Sequence, residues 1–309
     1  MPIEDHQLFQ RPDKDARLWR YTDLPKFLDL LTSGRLWLSN LEILSKEDPY
    51  EGLLGSVRFP HRAIRTIREF PPDQHPKLLE DYYFAAFKGV VPPDPQDSLN
   101  AAFEHWYKAQ EELCITHEAE RRNYYINCWH EAECECIAMW KTYGGAGAGV
   151  AVVSSYSRLE KALKDNQEKL FLGRVNYVEI SDVVAGVSNY FEHLLSKLSH
   201  YKYEREVRLA YWDWREPYYP LARANWNNAT LRFEGLLADS RPIRPGLYFE
   251  CKLNELIEMV LLSPFAPDWH LSMVKAVRDR FGFKFPVHRS IILDTPPTPD
   301  AGGLLLLER

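Results

Sequence analysis

Two glutamates and an arginine in the sequence YEREVRLAYW have the types and spacing best suited to chemistry. The stretch alternates as a β-strand does, so the side chains of Glu204, Glu206 and Arg208 are predicted to project from one strand face. Neighbouring carboxylates repel each other, and unless exposed they need cations, donors or a ligand to offset that cost. The pattern is compatible with a catalytic carboxylate pair, and also with a solvated face of Glu–Arg pairs.

Three thiols and one imidazole lie close together in CWHEAECEC, Cys128 to Cys136. These are zinc-ligand types. Structural zinc sites, however, usually take paired ligands at CxxC or HxxxH spacing from separate segments, and the sequence has no second pair to complete this one. We therefore expect no metal at this cluster.

Trp140 and Tyr143 are three residues apart on a predicted helix face, where their rings could fill a core or stack on a ligand. The glycine-rich stretch GGAGAG, Gly144 to Gly149, follows them. A dinucleotide-binding loop follows a strand and opens a helix, whereas this stretch lies between a helix and the strand VAVVS. It is predicted to end the helix and form a tight turn.

The segment from Leu18 to Asn40 predicts a strand, a helix and a second strand. Asp23 can cap the helix and Gly34 can end it. Arg20 and Tyr21 therefore lie at the end of a strand just before a helix, which is a common position for side chains that contact ligands.

The rest of the chain predicts an interleaved series of helices and strands. Proline-rich Phe70 to Asp97 predicts a loop with a short buried insert. The other predicted elements are a helix at 99–120, a strand at 124–129, a helix ending near Gly144, the strand VAVVS, a helix opened by a Ser157/Glu160 capping box, a strand over LFLGRVNYVEI, a helix at 183–198, strands at 203–212, 247–251, LIEMVLLSP and near Val287, and a helix capped by Asp268. This order predicts an α+β fold with mixed or antiparallel central sheets and packed helices. We expect an extension over residues 1–17, a single large domain over 18–292 and a tail over 293–309.

Composition excludes several classes of protein. The net charge of −6 gives no overall attraction to nucleic acid, although a local basic groove stays compatible with it. The start MPIEDHQLFQ lacks the pattern of a secretory signal, and no window approaches the roughly 18 apolar residues that span a bilayer. Five cysteines, an odd number, fit reduced thiols. We expect a cytoplasmic protein with no membrane partner.

Four ordered motifs resemble one prokaryotic family, the domain of unknown function 2971. They are LWRYTDLPKFLDLLTSGRLWLS, EDPYEG, CWHEAECECIAMWKTYG followed by GVAV, and YEREVRL. The correspondence runs from about Leu18 to about Ile292, but Cys134 and Cys136 depart from the family pattern. The matching positions are Arg20, Tyr21, Asp48, Pro49, Glu51, Cys128, Trp129, His130, Glu135, Met139, Trp140, Glu204, Glu206 and Arg208.

The opening strand, helix and strand are also similar to the start of ADP-ribosyltransferases, which hold NAD with an Arg or His there and carry a late Glu-x-Glu. This likeness implies that Glu206 stabilises oxocarbenium charge on the ribose while Glu204 orients the acceptor. It further implies that Arg20 pairs with the pyrophosphate of NAD. The other positions assigned to NAD binding, by ring stacking or polar contact, are Tyr21, Trp140, Tyr143, Asp48 and Glu51.

Three functions are compatible with these residues. The first is an NAD-consuming ADP-ribosyltransferase or NAD glycohydrolase that modifies a macromolecular acceptor, as a toxin or anti-phage effector does. The second is a non-catalytic ligand- or partner-binding protein whose Arg, Trp and Glu motifs form a buried polar network. The third is a metal-dependent nuclease or hydrolase. Its oxygen ligands would be Asp48, Glu51, Glu204 and Glu206. The acceptor and the oligomeric state stay open.

Overall fold

The fold comes from a computed structural model, which describes residues 3–52, 64–87, 95–145, 147–179, 191, 194–215 and 218–294. The strands are β1 (Arg17–Thr22), β2 (Arg35–Asn40), β3 (Tyr124–Glu131), β4 (Val150–Ser155), β5 (Leu170–Arg174), β6 (Asn176–Val178), β7 (Ser196–Leu198), β8 (Glu206–Trp212), β9 (Asn225–Asn227), β10 (Arg232–Glu234), β11 (Gly246–Glu250), β12 (Met259–Leu262) and β13 (Val287–Arg289). The α-helices are α1 (Leu24–Ser33), α2 (Leu41–Leu44), α3 (His75–Phe87), α4 (Pro95–Glu120), α5 (Ile137–Tyr143), α6 (Tyr156–Leu163), α7 (Leu253–Leu256) and α8 (Trp269–Arg280). Short 3-10 helices cover Pro72–Gln74, Arg121–Asn123 and Ser199–Glu204.

This mixture of helices with antiparallel and mixed sheets confirms the predicted α+β class. The chain divides into two compact units. Unit 1 comprises Met1–Lys14, Arg35–Glu131 and Leu163–Cys251, and unit 2 comprises Asp15–Gly34, Ala132–Ala162 and Lys252–Arg309. The expected limits of an extension, a single domain and a tail stay predictions, and residues 295–309 of that tail lie outside the described part of the chain.

Unit 1 is built on an antiparallel sheet with the strand order β11–β2–β3–β8–β5. Its longest pairing joins β3 and β8, from Tyr124 opposite Trp212 to His130 opposite Glu206. One face of this pair carries apolar side chains, among them Ile126 and Ala210, into a buried cluster. The same face reaches Glu206 at the start of β8, so the strand leads from an apolar core into a charged region.

A helical layer of unit 1 corrects the loop predicted from Phe70 to Asp97. Residues 75–87 form helix α3, which packs with α4 around Phe70, Leu78, Ala102 and Phe103. The prediction treated the prolines as a sign of a loop. Pro76 and Pro95, however, lie in the first turns of the two helices, where a missing N–H breaks no hydrogen bond.

Unit 2 is built on a mixed sheet with the strand order β1–β4–β12–β13, in which only the last pair is parallel among the described strands. The helix α1 follows β1 as predicted. Asp23 accepts a hydrogen bond from the backbone N of Lys26 at its start, and Gly34 ends it in the left-handed conformation with φ 65°. Such a φ suits glycine because it has no Cβ.

Several other predicted boundaries differ from the structure. The helix α6 begins at Tyr156, and its cap is Ser155, whose hydroxyl accepts from the backbone N of Arg158, rather than a box from Ser157. The helix predicted over Val183–Leu198 is wrong at its end, because Ser196–Leu198 is the strand β7, while residues 180–190 lie outside the described residues. A search of the described helices finds none long and apolar enough to cross a membrane.

The cap of α1 gives a first testable prediction. We expect Asp23→Ala to lower the free energy of unfolding by about 1 kcal/mol, because the N-cap oxygen is lost. Asp23→Asn keeps a side-chain oxygen that can accept from the backbone N of Lys26. It should therefore lose only a few tenths of a kcal/mol by the same measure. Urea unfolding of both variants checks this, and an equal loss in the two would contradict the assignment.

Candidate functional site

A sharp backbone corner in unit 1 separates the two glutamates of the Glu-x-Glu motif. Glu204 is the last residue of a 3-10 helix, Arg205 takes the left-handed conformation with φ 40° and ψ 52°, and β8 begins at Glu206. The prediction that Glu204 lies on the strand is therefore wrong. A non-glycine residue in this conformation costs about 1 kcal/mol or more, so the surrounding contacts must hold it there.

Two hydrogen bonds from β3 hold this corner. The backbone N of Glu131 donates to the carbonyl of Arg205 over 3.0 Å. Nδ1 of buried His130 lies 2.5 Å from the carbonyl oxygen of Glu204, and a carbonyl can only accept, so Nδ1 carries the proton. Burial lowers the pKa of His130, which favours the neutral ring, and the carbonyl of Glu204 then selects the tautomer with its proton on Nδ1.

The ammonium group of Lys197, on β7, lies among three carboxylates. Its Nζ is 2.6 Å from Glu204 Oε2, 3.3 Å from Glu206 Oε2 and 3.8 Å from Glu51 Oε2. Nζ also lies 4.6 Å from the centre of the Tyr201 ring, within cation–π range. Lys197 thereby offsets the repulsion that the paired glutamates would otherwise suffer.

The guanidinium of Arg208 is the second cation of the cluster, and it is fully buried, with 0% exposure. Nε and Nη2 donate to the two oxygens of Glu206 over 2.7 Å and 3.1 Å, which is a bidentate pair. Nη1 donates to the carbonyl of Leu194 over 2.5 Å. The same Nη1 lies 2.7 Å from Glu51 Oε1, an ion pair whose alignment falls outside that of a hydrogen bond.

Burial and pairing push the pKa values of two of these carboxyl groups in opposite directions. Burial alone raises the pKa of Glu206, but Arg208 and Lys197 outweigh it and lower the pKa to about 2. Burial also raises the pKa of Glu51, and here it outweighs both cations. Glu206 therefore stays ionised while Glu51 holds a proton more readily. A pair of carboxyl groups separated in this way is typical of acid–base sites.

Two further side chains complete the surroundings of Glu206. The hydroxyl of Tyr177 accepts from the backbone N of Glu206 over 2.8 Å. Cys128 lies opposite Arg208 in the strand register, and its thiol donates to the Glu206 carboxylate. Burial raises the pKa of Cys128 well above its usual range, so the sulfur stays protonated. A protonated thiol is the form that can donate to the carboxylate of Glu206.

The turn EDPYEG delivers Glu51 to the cluster. The backbone N of Glu51 donates to the carbonyl of Asp48 over 2.9 Å, and Asp48 Oδ1 accepts from the backbone N of Tyr50 over 3.0 Å. Gly52 follows with φ 67°, and a Cβ there would meet Leu41 at 2.2 Å. Glu51 is thus buried against Arg208, whereas half-buried Asp48 uses its side chain to shape the turn.

The remaining predicted residues belong to unit 2. The hydroxyl of Tyr21 accepts from the backbone N of Cys136 over 2.8 Å, and its ring meets Trp140 edge-on with 4.9 Å between centres. Trp140 Nε1 donates to Glu135 over 2.9 Å, and both rings are buried in the core of unit 2. Arg20 is half-buried on β1, and Tyr143 is exposed at the end of α5.

The structure therefore brings Glu51, Glu204 and Glu206 together in unit 1, and Tyr21 with Trp140 in unit 2. A hollow shared by the two sets stays a prediction. Sequence reasoning did not find Lys197 or Tyr177, because no motif marks either residue. Lys197 also fell inside a predicted helix.

The described residues offer no group of three or more His, Cys, Asp or Glu side chains arranged to hold a metal ion. In the carboxylate cluster, the oxygens face Lys197 and Arg208. Of the thiols in the segment Cys128 to Cys136, Cys128 lies in unit 1 beside Glu206, and Cys134 is exposed in unit 2.

No family model, curated protein or solved structure matches this chain. The resemblances to the domain of unknown function 2971 and to ADP-ribosyltransferases accordingly stay predictions.

The left-handed corner gives a testable prediction about stability. We expect Arg205→Val to lower the free energy of unfolding by about 1–2 kcal/mol, because a β-branched residue is disfavoured at positive φ. Arg205→Gly removes the same guanidinium but adopts this φ without strain, so it should stay within about 1 kcal/mol of the native chain. Chemical unfolding of both variants separates the backbone effect from the loss of charge. Equal losses would show that the conformation at this position carries no cost.

The low pKa of Glu206 gives a prediction about pH. Its folded pKa is about 2 against an ordinary value of 4.5, so the unfolded chain binds more protons between these values. The stabilisation is fully present above about pH 4.5 and is lost as pH falls towards 2. Its size is about 3 kcal/mol, from the pKa difference.

Unfolding measured against pH checks this expectation with two variants. Glu206→Gln should reduce the slope between pH 4.5 and 2, to which Asp239 also contributes through its own pKa of about 2, whereas Glu104→Gln, an exposed change on α4 of unit 1, should leave the slope unchanged. Glu206→Gln also leaves two buried cations short of a partner, so an overall loss of about 3–5 kcal/mol is expected. An unchanged slope in Glu206→Gln would remove the assignment.

Proposed function

We propose that this chain is an NAD-consuming enzyme of the ADP-ribosyltransferase or NAD glycohydrolase type, with Glu206 as its catalytic carboxylate. The observation that supports the proposal is the geometry around Glu206, which is 4% exposed, forms a bidentate pair with Arg208 and lies 3.3 Å from Nζ of Lys197, so that it holds a fixed charge in surroundings that largely exclude water. A fixed negative charge interacts more strongly there than in bulk solvent.

The chemistry needs a carboxylate that stays charged while a positive charge develops beside it. When the bond between nicotinamide and ribose breaks, its electron pair leaves with the nicotinamide and the ribose becomes an oxocarbenium ion. Glu206 would stabilise that ion, and Glu204 would orient the attacking hydroxyl of water or of a macromolecular acceptor. Arg208 and Lys197 hold Glu206 in one orientation, which avoids reorganisation during the reaction.

A second candidate function is favoured by the burial of the same groups. Glu204 is 3% exposed, and Glu204, Glu206 and Glu51 each contact at least one buried cation. Such a network can be retained because it specifies one fold rather than because it reacts. In that case the chain is a non-catalytic ligand- or partner-binding protein. The carboxylates then hold the backbone segments of the binding surface in place and do not contact the ligand themselves.

The experiment that tests the first proposal measures nicotinamide release from NAD by the purified chain, with and without cell extract as a source of acceptors. We expect release by the native chain and a loss of at least about 100-fold in Glu206→Gln, the size typical for removing one transition-state contact. Glu104→Gln changes an exposed carboxylate of unit 1 and should leave the rate unchanged. Circular dichroism and a thermal melt establish that each variant is folded.

A folded native chain that releases no nicotinamide under either condition would overturn the proposal. Since Glu206→Gln can fail to fold, Glu206→Asp serves as a second variant, which keeps the charge but withdraws it by one methylene. A rate unchanged in folded Glu206→Asp would show that Glu206 does not touch the reacting sugar. Thermal stabilisation by a nucleotide without turnover would favour the binding function.

A further inference from the structure

Unit 2 carries a group of exposed apolar side chains beyond the carboxyl ends of strands β12 and β13. They are Phe265, Trp269, Ile291, Ile292 and Leu293, and we call them the apolar patch. Trp269 is 61% exposed and Ile291 is 64% exposed. Single exposed apolar residues are ordinary on protein surfaces, but a group of them beside charged residues usually marks an interaction surface.

The parallel pairing of β12 with β13 brings the two segments of the apolar patch together. Leu262 lies opposite Arg289 in the register, and the backbone N of Ser290 donates to the carbonyl of Leu262 over 2.9 Å. Because the strands run in the same direction, the chain leaves both of them at the same edge of the sheet. It continues towards Phe265 from β12 and towards Ile291 from β13.

Two residues give the apolar patch one charge of each sign. Nη2 of Arg289 donates to the carbonyl of Pro264 over 3.4 Å, and Nη1 lies 3.8 Å from Asp268 Oδ1. Asp268 directly precedes Trp269, and Arg289 lies two residues before Ile291. Arg289 therefore joins the segment of Trp269 to the segment of Ile291.

Both charged groups are open to a second partner. The side chain of Asp268 is 95% exposed and that of Arg289 is 42% exposed. The carboxylate of Asp268 makes no capping hydrogen bond with the backbone of α8. An exposed ion pair contributes little to stability, so its members can regroup with charges of another molecule at little cost.

We propose that the apolar patch joins two copies of this chain in a two-fold symmetric dimer. In such a dimer one surface contacts itself, so every contact occurs twice. Asp268 of each copy pairs with Arg289 of the other, and the four charges alternate in sign around the two-fold axis. The rings and aliphatic side chains of the patch then lose their exposure to water, which stabilises the dimer.

The charges favour a second copy over a partner of one sign. A patch with one anion beside one cation is its own complement, whereas an acidic or a basic partner would leave one of the two facing a like charge. Tryptophan and arginine are also the side chains that most often anchor protein interfaces. The patch belongs entirely to unit 2, so the proposal does not depend on the function proposed for Glu206 in unit 1.

Sedimentation velocity of the full chain from about 1 to 200 µM tests the proposal, since small interfaces give micromolar affinities. We expect a monomer–dimer equilibrium in the native chain. Trp269→Ser should weaken the dimer Kd at least about tenfold, because the largest ring of the patch is lost. Phe84→Ser removes a ring that is 78% exposed on α3 of unit 1, and it should change the Kd less than about twofold.

A pair of charge reversals tests the two-fold arrangement itself. Asp268→Arg gives each copy two cations at the interface, and Arg289→Asp gives each copy two anions, so either variant alone should stay monomeric. An equimolar mixture of the two variants places cations opposite anions at both contacts. The mixture should therefore recover a dimer that contains one chain of each variant, and native mass spectrometry identifies this composition.

Three outcomes would overturn the proposal. The first is a native chain that is monomeric at every concentration. The second is a dimer that persists in Asp268→Arg and in Arg289→Asp, since the interface would then lie elsewhere. The third is a mixture of the two variants that stays monomeric. A thermal melt of each variant establishes that loss of the dimer does not come from unfolding.

Discussion

The bidentate ion pair between Arg208 and Glu206 is the interaction on which unit 1 depends most. Arg208 is fully buried, and moving a guanidinium out of water costs several kcal/mol unless partners restore its hydrogen bonds. Glu206 and the carbonyl of Leu194 accept its hydrogen bonds, and Glu51 adds an ion pair. A buried charge of this kind is stable only while all its partners are present, because the loss of one partner leaves the remaining buried charges uncompensated.

The ion cluster joins segments that are far apart along the chain. Glu51 comes from the turn after α2, Lys197 from the short parallel strand β7, and Glu206 from the start of the long strand β8. The cluster therefore selects one arrangement of these segments, which apolar contacts alone would select less sharply. The atoms that join these segments are also the ones to which the proposed function assigns catalysis, so stability and activity must be measured together in every variant.

The sequence predicted the parts of this arrangement that local pattern encodes. Alternation in β8 indicated that Glu206 and Arg208 share a face, and Asp23 with Gly34 marked the limits of α1. The predicted position of Glu204 on the strand was wrong, because no residue type in this segment indicates that Arg205 adopts a positive φ. Lys197 was not found, since its role follows from tertiary contacts across the fold. The helix α3 was not predicted because prolines that end most helices also fit their first turns.

The cysteines of this chain differ widely in accessibility. Cys134 is exposed, Cys114 and Cys251 are buried, and burial raises the pKa of Cys128 well above that of a free thiol. Cys134 is accessible to an alkylating reagent, whereas burial keeps the thiol of Cys128 protonated, so in the native state Cys134 reacts well ahead of Cys128. A fluorophore or spin label can thus be attached to unit 2 under mild conditions. The slow rate at which Cys128 is modified then measures how often the ion cluster of unit 1 opens to solvent.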